Sequence, residues 1–488
     1  MLKRIFSFCQ RYWLIILLTL IGGFLRLYKL ETNLQFLGDQ GRDALVIKRL
    51  IVDYNLPFIG PITSIGSFYL GPLYYYLMAP FLWLFKLNPI GPAYATAFIG
   101  IITIPAIYFF TQKLFSSKAA IITSLLYALA SIPISGTRGA WNPNPMPLVV
   151  LGLVYGLYLS IKKNQPKGVL LASLCLAIAL QLHYMIIFLG PFFLWQFVLV
   201  IKNKKSRSRL LSAVILFLLI MSPIILFEIK HKFLNLKGLQ YYLQTNNYQA
   251  FNLFKTLKDI IGRSQEAIGM VLGFGRKTTA LRTWVTNLTI FGTLWQLWKN
   301  RSYEFLLISL WLFLSIFALA FYRGNVYPHY LGFIFPATFI LVGVLLSQFK
   351  KQLKLIPLAL IALFIYHNYL TNPVVTGGPG NLPQLEKTAQ FIKQDIIDNQ
   401  HTAVNVALID GTRDYKAMNY RYFLEINDIK LLEVDQYDQT NTLYVVSPYD
   451  QPDLLSQPMW EISALQPAGI SNSWQFPDNS NIYKVQRL

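Results

Sequence analysis

Acidic side chains are scarce in the first 371 residues. Only Glu31, Asp39, Asp43, Asp53, Glu228, Asp259, Glu266 and Glu304 occur there, against 35 lysines and arginines. Cysteine is scarcer still: Cys9 and Cys175 lie in or near apolar segments, which excludes a disulfide framework. No HExxH, phosphate-loop or Cys/His zinc spacing occurs, so those familiar soluble-enzyme motifs are excluded. Internal repeats and low-complexity tracts are absent.

Apolar residues are abundant instead. The chain is 54% hydrophobic and 13% charged, the composition of a polytopic membrane protein. Apolar runs fall at 12–29, 93–112, 118–135, 146–161, 168–182, 185–201, 209–229, 283–298, 303–321, 330–348 and 354–371. Residues 68–85 are also apolar but are broken by Gly71-Pro72 and Pro80. If that stretch does not cross, the basic clusters at 113–118, 162–167, 202–209, 299–301 and 350–354 join the basic N-terminus in the cytoplasm. If it crosses, they all move outside. The positive-inside rule therefore selects about eleven spans. Residues 68–85 become a juxtamembrane or re-entrant segment, with loops 30–92 and 230–282 external. The N-terminal apolar run lacks a small-residue cleavage site and reads as a retained span. The net charge of +21 suits loops facing anionic lipid, and no nucleic-acid partner is expected.

Residues 372–488 reverse the balance, with 8 basic and 14 acidic side chains. A Pro/Gly-rich linker opens this region. Helices at 383–397 and 413–425 are predicted, with strands at 403–409, 429–434, 442–446 and 482–485. The fold class is mainly α: a multi-pass helical bundle over 1–371 in the cytoplasmic (inner) membrane. A small extracytoplasmic α/β domain over 372–488 completes it.

Carboxylates beside a membrane are costly and so mark candidate chemistry. Asp39 and Asp43 stand in Gly38-Asp39-Gln40-Gly41-Arg42-Asp43, ahead of a 42–54 stretch whose apolar residues recur at helical spacing. That stretch reads as a helix on the membrane surface. Asp39 suits either helix capping or catalysis, and Asp43 suits a first-turn acid. Tyr69 and Tyr74 to Tyr76 fit an interfacial aromatic belt, with Tyr69 and Tyr74 also candidate substrate contacts. In the polar loop Ser135–Pro145, Arg138 has the fork geometry for a phosphate and Asn142 could line a sugar, or Arg138 snorkels from a turn. His183 at a span end reads as a packing residue or a ligand. Arg323, His329 and Tyr330 cluster at a second external rim and are phosphate-contact candidates.

An N-terminal span, an external loop bearing Gly38-Asp39-Gln40-Gly41-Arg42-Asp43 and a Gly71-Pro72-Leu73-Tyr74-Tyr75 segment together resemble the GT-C glycosyltransferases. That superfamily includes protein O-mannosyltransferases, lipid A aminoarabinose transferases and the catalytic subunit of oligosaccharyltransferases. The resemblance covers about residues 1–200 and extends to the rest by topology. It implies a polyprenyl-phosphate sugar donor, a bilayer, an acceptor glycan, lipid or protein, and inverting transfer with Asp39 as base. It places Arg42, Asp43, Tyr69, Tyr74, Arg138, Asn142, His183, Arg323, His329 and Tyr330 around the substrate and its phosphate. This sequence lacks the basic residue that relatives carry before the Pro-Leu-Tyr segment. Asn142 and Asn144 stand where relatives carry an aspartate, so no metal ligands are assigned, although a divalent cation would be compatible with the superfamily. The alternatives are a lipid or glycan transporter or flippase, for which repeats and midplane charges would be expected, and a non-catalytic scaffold.

Overall fold

The computed structural model describes residues 2–63, 66–245, 252–275, 278–322, 324–378, 380–412, 414–451, 453–476 and 480–488. Arg323 and the linker residue Pro379 therefore lie outside the described residues. The chain forms two compact units. One comprises Met1–Leu30, Leu56–Met78 and Pro92–Gly377, the other Glu31–Asn55, Ala79–Gly91 and Gly378–Leu488.

The first unit is helical, and every apolar run listed above falls on a helix. Among the described residues, five helical stretches are long and apolar enough to cross a membrane: Cys9–Leu27, Ile90–Leu114, Tyr184–Lys202, Leu210–Lys230 and Leu355–Thr376. In the Leu210–Lys230 helix, Leu211, Leu219, Leu226 and Ile229 are all more than half exposed. Apolar surface this bare is stable in lipid and not in water, so this is an integral membrane protein. Elsewhere the unit packs closely. A Cβ at Gly156 would lie 2.6 Å from the Gly168 carbonyl, so the Met146–Lys162 and Lys167–Leu182 helices meet through small residues. Trp311 is fully buried and donates its indole N–H to the Phe333 carbonyl at 3.0 Å.

Residues 68–85 form the end of a small hairpin, β1 (Ile62–Thr63) with β2 (Gly66–Tyr69), and then the helix Leu73–Leu84. Twelve helical residues reach roughly 18 Å, short of a ~30 Å hydrocarbon core. Tyr74 and Tyr75 are buried in the core, which corrects the belt reading for both. Tyr76 is exposed and donates to the Pro57 carbonyl at 2.9 Å. Gly71 is glycine because the Gln181 side chain occupies the space its Cβ would need. The 230–282 loop contains two helices, Leu234–Thr245 and Leu253–Ser264, the latter running into a π-helical turn at Gln265–Met270.

In the second unit a four-stranded mixed sheet has the order β3-β4-β6-β5, over Val404–Leu408 (β3), Thr442–Ser447 (β4), Ala468–Gln475 (β5) and Asn481–Arg487 (β6). The β3–β4 pair is parallel and the other two pairs are antiparallel. Every residue of β3 and β4 is buried, as expected where both sheet faces are covered. Leu443, Val445, Tyr437, Leu454, Ile462 and Val485 fill one side. The helices Leu382–Asp398 and Met418–Ile426 accompany the sheet. Residues 429–434 are not a strand; Leu432 makes a single backbone bond, to Val404. The second helix begins at Met418; its predicted start, residue 413, lies outside the described residues, and residues 414–417 form a turn that ends with Ala417 in the left-handed region, φ 51°.

Candidate active site

The Gly38–Val52 helix starts four residues before the 42–54 stretch that the sequence suggested. Leu37 caps it in an extended conformation, and the Gln40 side chain reaches back to accept from the Leu37 N–H at 2.7 Å. Asp39 is thus a first-turn acid and not the cap, placed where the helix dipole favours negative charge. Its side chain is 74% exposed. Asp43, one turn on, is buried. Arg42 bridges the two: Nη1 donates to Asp39 Oδ1 at 2.7 Å, while Nε and Nη2 donate to Asp43 Oδ1 at 3.1 and 3.0 Å. A guanidinium between two carboxylates holds the exposed one in a fixed orientation.

On the apolar face of this helix Ile47 is buried, while Val46, Leu50 and Ile51 are half-buried. Ala44, Leu45 and Ile47 are buried in the second unit, where the helix packs on Met418–Ile426. A Cβ at Gly41 would lie 2.5 Å from the Met418 and Asn419 backbone, so the contact is main chain to main chain. Lys48 and Arg49 each reach Glu425 at 3.3 Å. At Gly38 the space of the missing side chain holds the carboxyl group of Asp414. Burial, and to a lesser degree Asp39 and Asp410, push the Asp414 carboxyl up to about 7, against the pull of the Met418 N–H and Arg42.

In the first unit, His183 caps the Lys167–Leu182 helix, and its Nδ1 accepts from the Met185 N–H at 3.3 Å. Its ring stacks on Tyr184 at 4.7 Å and meets Tyr330 at 4.6 Å. His329 continues the cluster, 4.7 Å from Tyr330 and 4.6 Å from Trp141. Burial, with a smaller push from His329, lowers His183 to about 3. The imidazole is neutral at pH 7, and with Nδ1 accepting, its proton sits on Nε2. The Tyr184 and Tyr322 hydroxyls lie 3.1 Å apart. The structure thus brings His183, His329 and Tyr330 together.

Other candidates have other duties. Arg138 is buried and donates to the carbonyls of Leu25, Arg26, Tyr28 and Lys29 at 2.9 to 3.3 Å, closing the end of the Leu2–Leu27 helix. It serves as a helix cap. Asn142 donates to the Leu182 carbonyl at 2.5 Å and closes the Lys167–Leu182 helix in the same way. Tyr69 exchanges two backbone hydrogen bonds with the Asn235 side chain at 2.7 and 3.0 Å. It serves the hairpin rather than the imidazole cluster. Tyr74 is core.

Residues 70–227 match the dolichyl-phosphate-mannose-protein mannosyltransferase family. No curated protein matches the chain in sequence. Among solved structures, ArnT from Cupriavidus metallidurans in the apo state superposes with a TM-score of 0.63 at 14% identity, over 98% of each chain. The same protein bound to undecaprenyl phosphate gives 0.61 at 14% identity, again over 98% of each. The oligosaccharyltransferase AglB from Archaeoglobus fulgidus, in complex with an inhibitory peptide and a dolichol-phosphate, gives 0.51 at 11% identity over 97% of this chain and 74% of that one. The chain has the ArnT fold.

Within this ArnT-like fold, two residues that sequence reasoning passed over take part in the candidate sites. Arg263 pairs with Glu266 at 2.7 Å and donates to the Tyr322 and Gly324 carbonyls at 2.9 and 3.4 Å, gripping the chain on both sides of residue 323. The π-helical turn that follows it was a structural signal only. Asp414 had no sequence signal beyond a second acid near Asp410, since its partner is hundreds of residues away. Among the described residues no group of three or more His, Cys, Asp or Glu side chains is placed to hold a metal ion. Beside Asp39, the positive charge comes from Arg42.

Proposed function

We propose that the protein is a membrane glycosyltransferase that moves a sugar from a polyprenyl-phosphate donor to an acceptor glycan, lipid or protein outside the cytoplasmic membrane, inverting the anomeric centre. The observation that carries this reading is Asp39: a solvent-exposed carboxylate, oriented by Arg42, on a chain with the ArnT fold. Support for the donor class comes from ArnT, which was solved with undecaprenyl phosphate bound.

In this scheme Asp39 takes the proton from an acceptor hydroxyl as its oxygen attacks the anomeric carbon. The bond from that carbon to the phosphate oxygen breaks, and its electron pair leaves with the lipid phosphate. Phosphate is a stable leaving anion, so one carboxylate suffices and no general acid is needed. Arg42 engages Asp39 Oδ1, which leaves Oδ2 for the acceptor. In the first unit, the neutral His183, with its proton on Nε2, joins His329 and Tyr330 as the proposed phosphate contacts, and Arg323 is proposed as a further one from the sequence alone. The scheme routes no step through a metal. It takes the chain as eleven spans, with the N-terminus cytoplasmic and residues 372–488 outside.

The test is to reconstitute the full chain with radiolabelled polyprenyl-phosphate sugars and cell-envelope acceptors, then determine the anomeric configuration of the product. Inversion supports the scheme. Retention, or no lipid-phosphate release with any donor, contradicts it.

A further inference from the structure

A groove of about 320 Å³ lies between the Met146–Lys162, Lys167–Leu182, Gly190–Lys202 and Leu210–Lys230 helices, all in the first unit. Ser173 donates to the Ala213 carbonyl at 2.6 Å and Gln181 to the Ile220 carbonyl at 2.8 Å, so two of these helices run side by side in the same direction. One end of the groove is framed by Val169, Val200 and Leu210, the other by Leu176, Phe193 and Phe217. On each of three helices these ends are seven residues apart, a rise of about 10 Å. Ser173 is the one polar residue of the lining, and its hydroxyl is already committed to Ala213.

The first end meets a run of cations. Lys202 follows Val200 by two residues and Arg209 precedes Leu210, with Lys204, Lys205 and Arg207 between them and no acid in the run. Neutral residues fix this turn. Buried Ser206 donates its hydroxyl to the Ser160 carbonyl at 2.7 Å, while Asn203 accepts from the Ser206 N–H at 3.1 Å and donates to the Asn164 side chain at 2.7 Å. The five cations are left exposed, and among the described residues none is in an ion pair.

We propose that this groove and its basic turn form a binding site for one anionic diacyl phospholipid, with the phosphate on the 202–209 cations and an acyl chain laid between the helices. The site is independent of the sugar chemistry proposed above. Fixing chain orientation asks only for charge; it does not ask for an apolar groove opening beneath that charge. The juxtaposition matches a phospholipid in both parts, head group and tail, within one leaflet. A length of about 10 Å lies inside the ~15 Å half of a hydrocarbon core, which suits an acyl chain and holds only a small part of a polyprenyl chain. Each cation beside an anionic head group adds roughly fivefold to affinity. The bound lipid would join the Leu210–Lys230 helix, bare along much of its length, to the Gly190–Lys202 helix across the gap between them.

The test measures binding of phosphatidylglycerol and of phosphatidylcholine with matched acyl chains to the purified full chain, by native mass spectrometry from detergent. The wild type is expected to bind phosphatidylglycerol at least tenfold tighter, a preference set by the phosphate and the cations. Lys202→Gln combined with Arg209→Gln should weaken phosphatidylglycerol about thirtyfold. Val214→Trp fills the groove from its lipid-exposed side and removes no charge. It should weaken phosphatidylglycerol by roughly tenfold or more, because the acyl chain loses its seat. Lys299→Gln combined with Arg301→Gln removes two cations from another basic turn and should leave binding unchanged. Equal binding of the two lipids overturns the inference, as does a loss in the 299/301 variant matching that in the 202/209 variant. Unaltered binding in Val214→Trp overturns it too, and that variant decides the matter alone if the 202/209 variant fails to fold. Displacement of phosphatidylglycerol by an equal amount of undecaprenyl phosphate would give the groove to a polyprenyl lipid and overturn the assignment to a phospholipid.

Discussion

Arg42 holds Asp39 from one helical turn away, Nη1 to Oδ1 at 2.7 Å, while the rest of its fork is fixed on buried Asp43. The pair is local in sequence, yet its geometry depends on a fork that reaches both carboxylates at once. Lysine has a single point of charge and cannot span them. Arg42→Lys should therefore keep the fold and lower transfer by roughly tenfold or more, the rate equivalent of about 1.4 kcal/mol. Arg42→Ala should also destabilise the protein by about 1–3 kcal/mol, because buried Asp43 loses its charged partner. Transfer rate and the thermal midpoint in detergent measure the two effects separately.

Gly41 lies so close to the Met418–Asn419 backbone that an added methyl would be 2.5 Å from main-chain atoms. Backbone cannot swing aside as a side chain can. Gly41→Ala should cost about 1–3 kcal/mol. It should also raise the susceptibility of residues 31–55 to proteolysis, since this contact covers the inner face of their helix. An unchanged digestion pattern would show that the helix is held by something else.

Arg138 is spent on the carbonyls that end the Leu2–Leu27 helix. Arg138→Gln should lower the unfolding midpoint, by about 1–3 kcal/mol of stability. It should leave the affinity for undecaprenyl phosphate within twofold of wild type. A large loss of affinity at unchanged stability would return Arg138 to the phosphate.

Much of the helical layout was legible because membrane helices announce themselves by length and apolarity. The Leu210–Lys230 helix needs no partner to be recognised. Interruptions were legible too: Gly71-Pro72 marks the bend into the Leu73–Leu84 helix, although the side chain that fills the space there, Gln181, is remote. Strand β5 escaped notice because Ala468–Gln475 is polar, exposed on most residues and pairs with β6 alone at the sheet edge. Leu253–Ser264 was hidden by its place in a presumed loop, despite leucine, phenylalanine and isoleucine at helical spacing. At the site, Asp39 and Arg42 could be found because they share one helix turn. The Ser135–Pro145 loop carries a structural duty that no local pattern showed. Its arginine and asparagine have the chemistry of ligand donors, and they also satisfy the orphan carbonyls of helices far away in the chain. Asp414 was out of reach for the same reason, since no local pattern says which carboxyl fills the space above Gly38.

The most direct measurement is turnover by Asp39→Asn in membranes that supply donor and acceptor. Asparagine keeps the size and the hydrogen-bonding shape but cannot take a proton at neutral pH. The account predicts at least a hundredfold loss of lipid-phosphate release, within the 10²–10⁴ range of a general base, with undecaprenyl phosphate binding and thermal stability close to wild type. Wild-type turnover in that variant would contradict it.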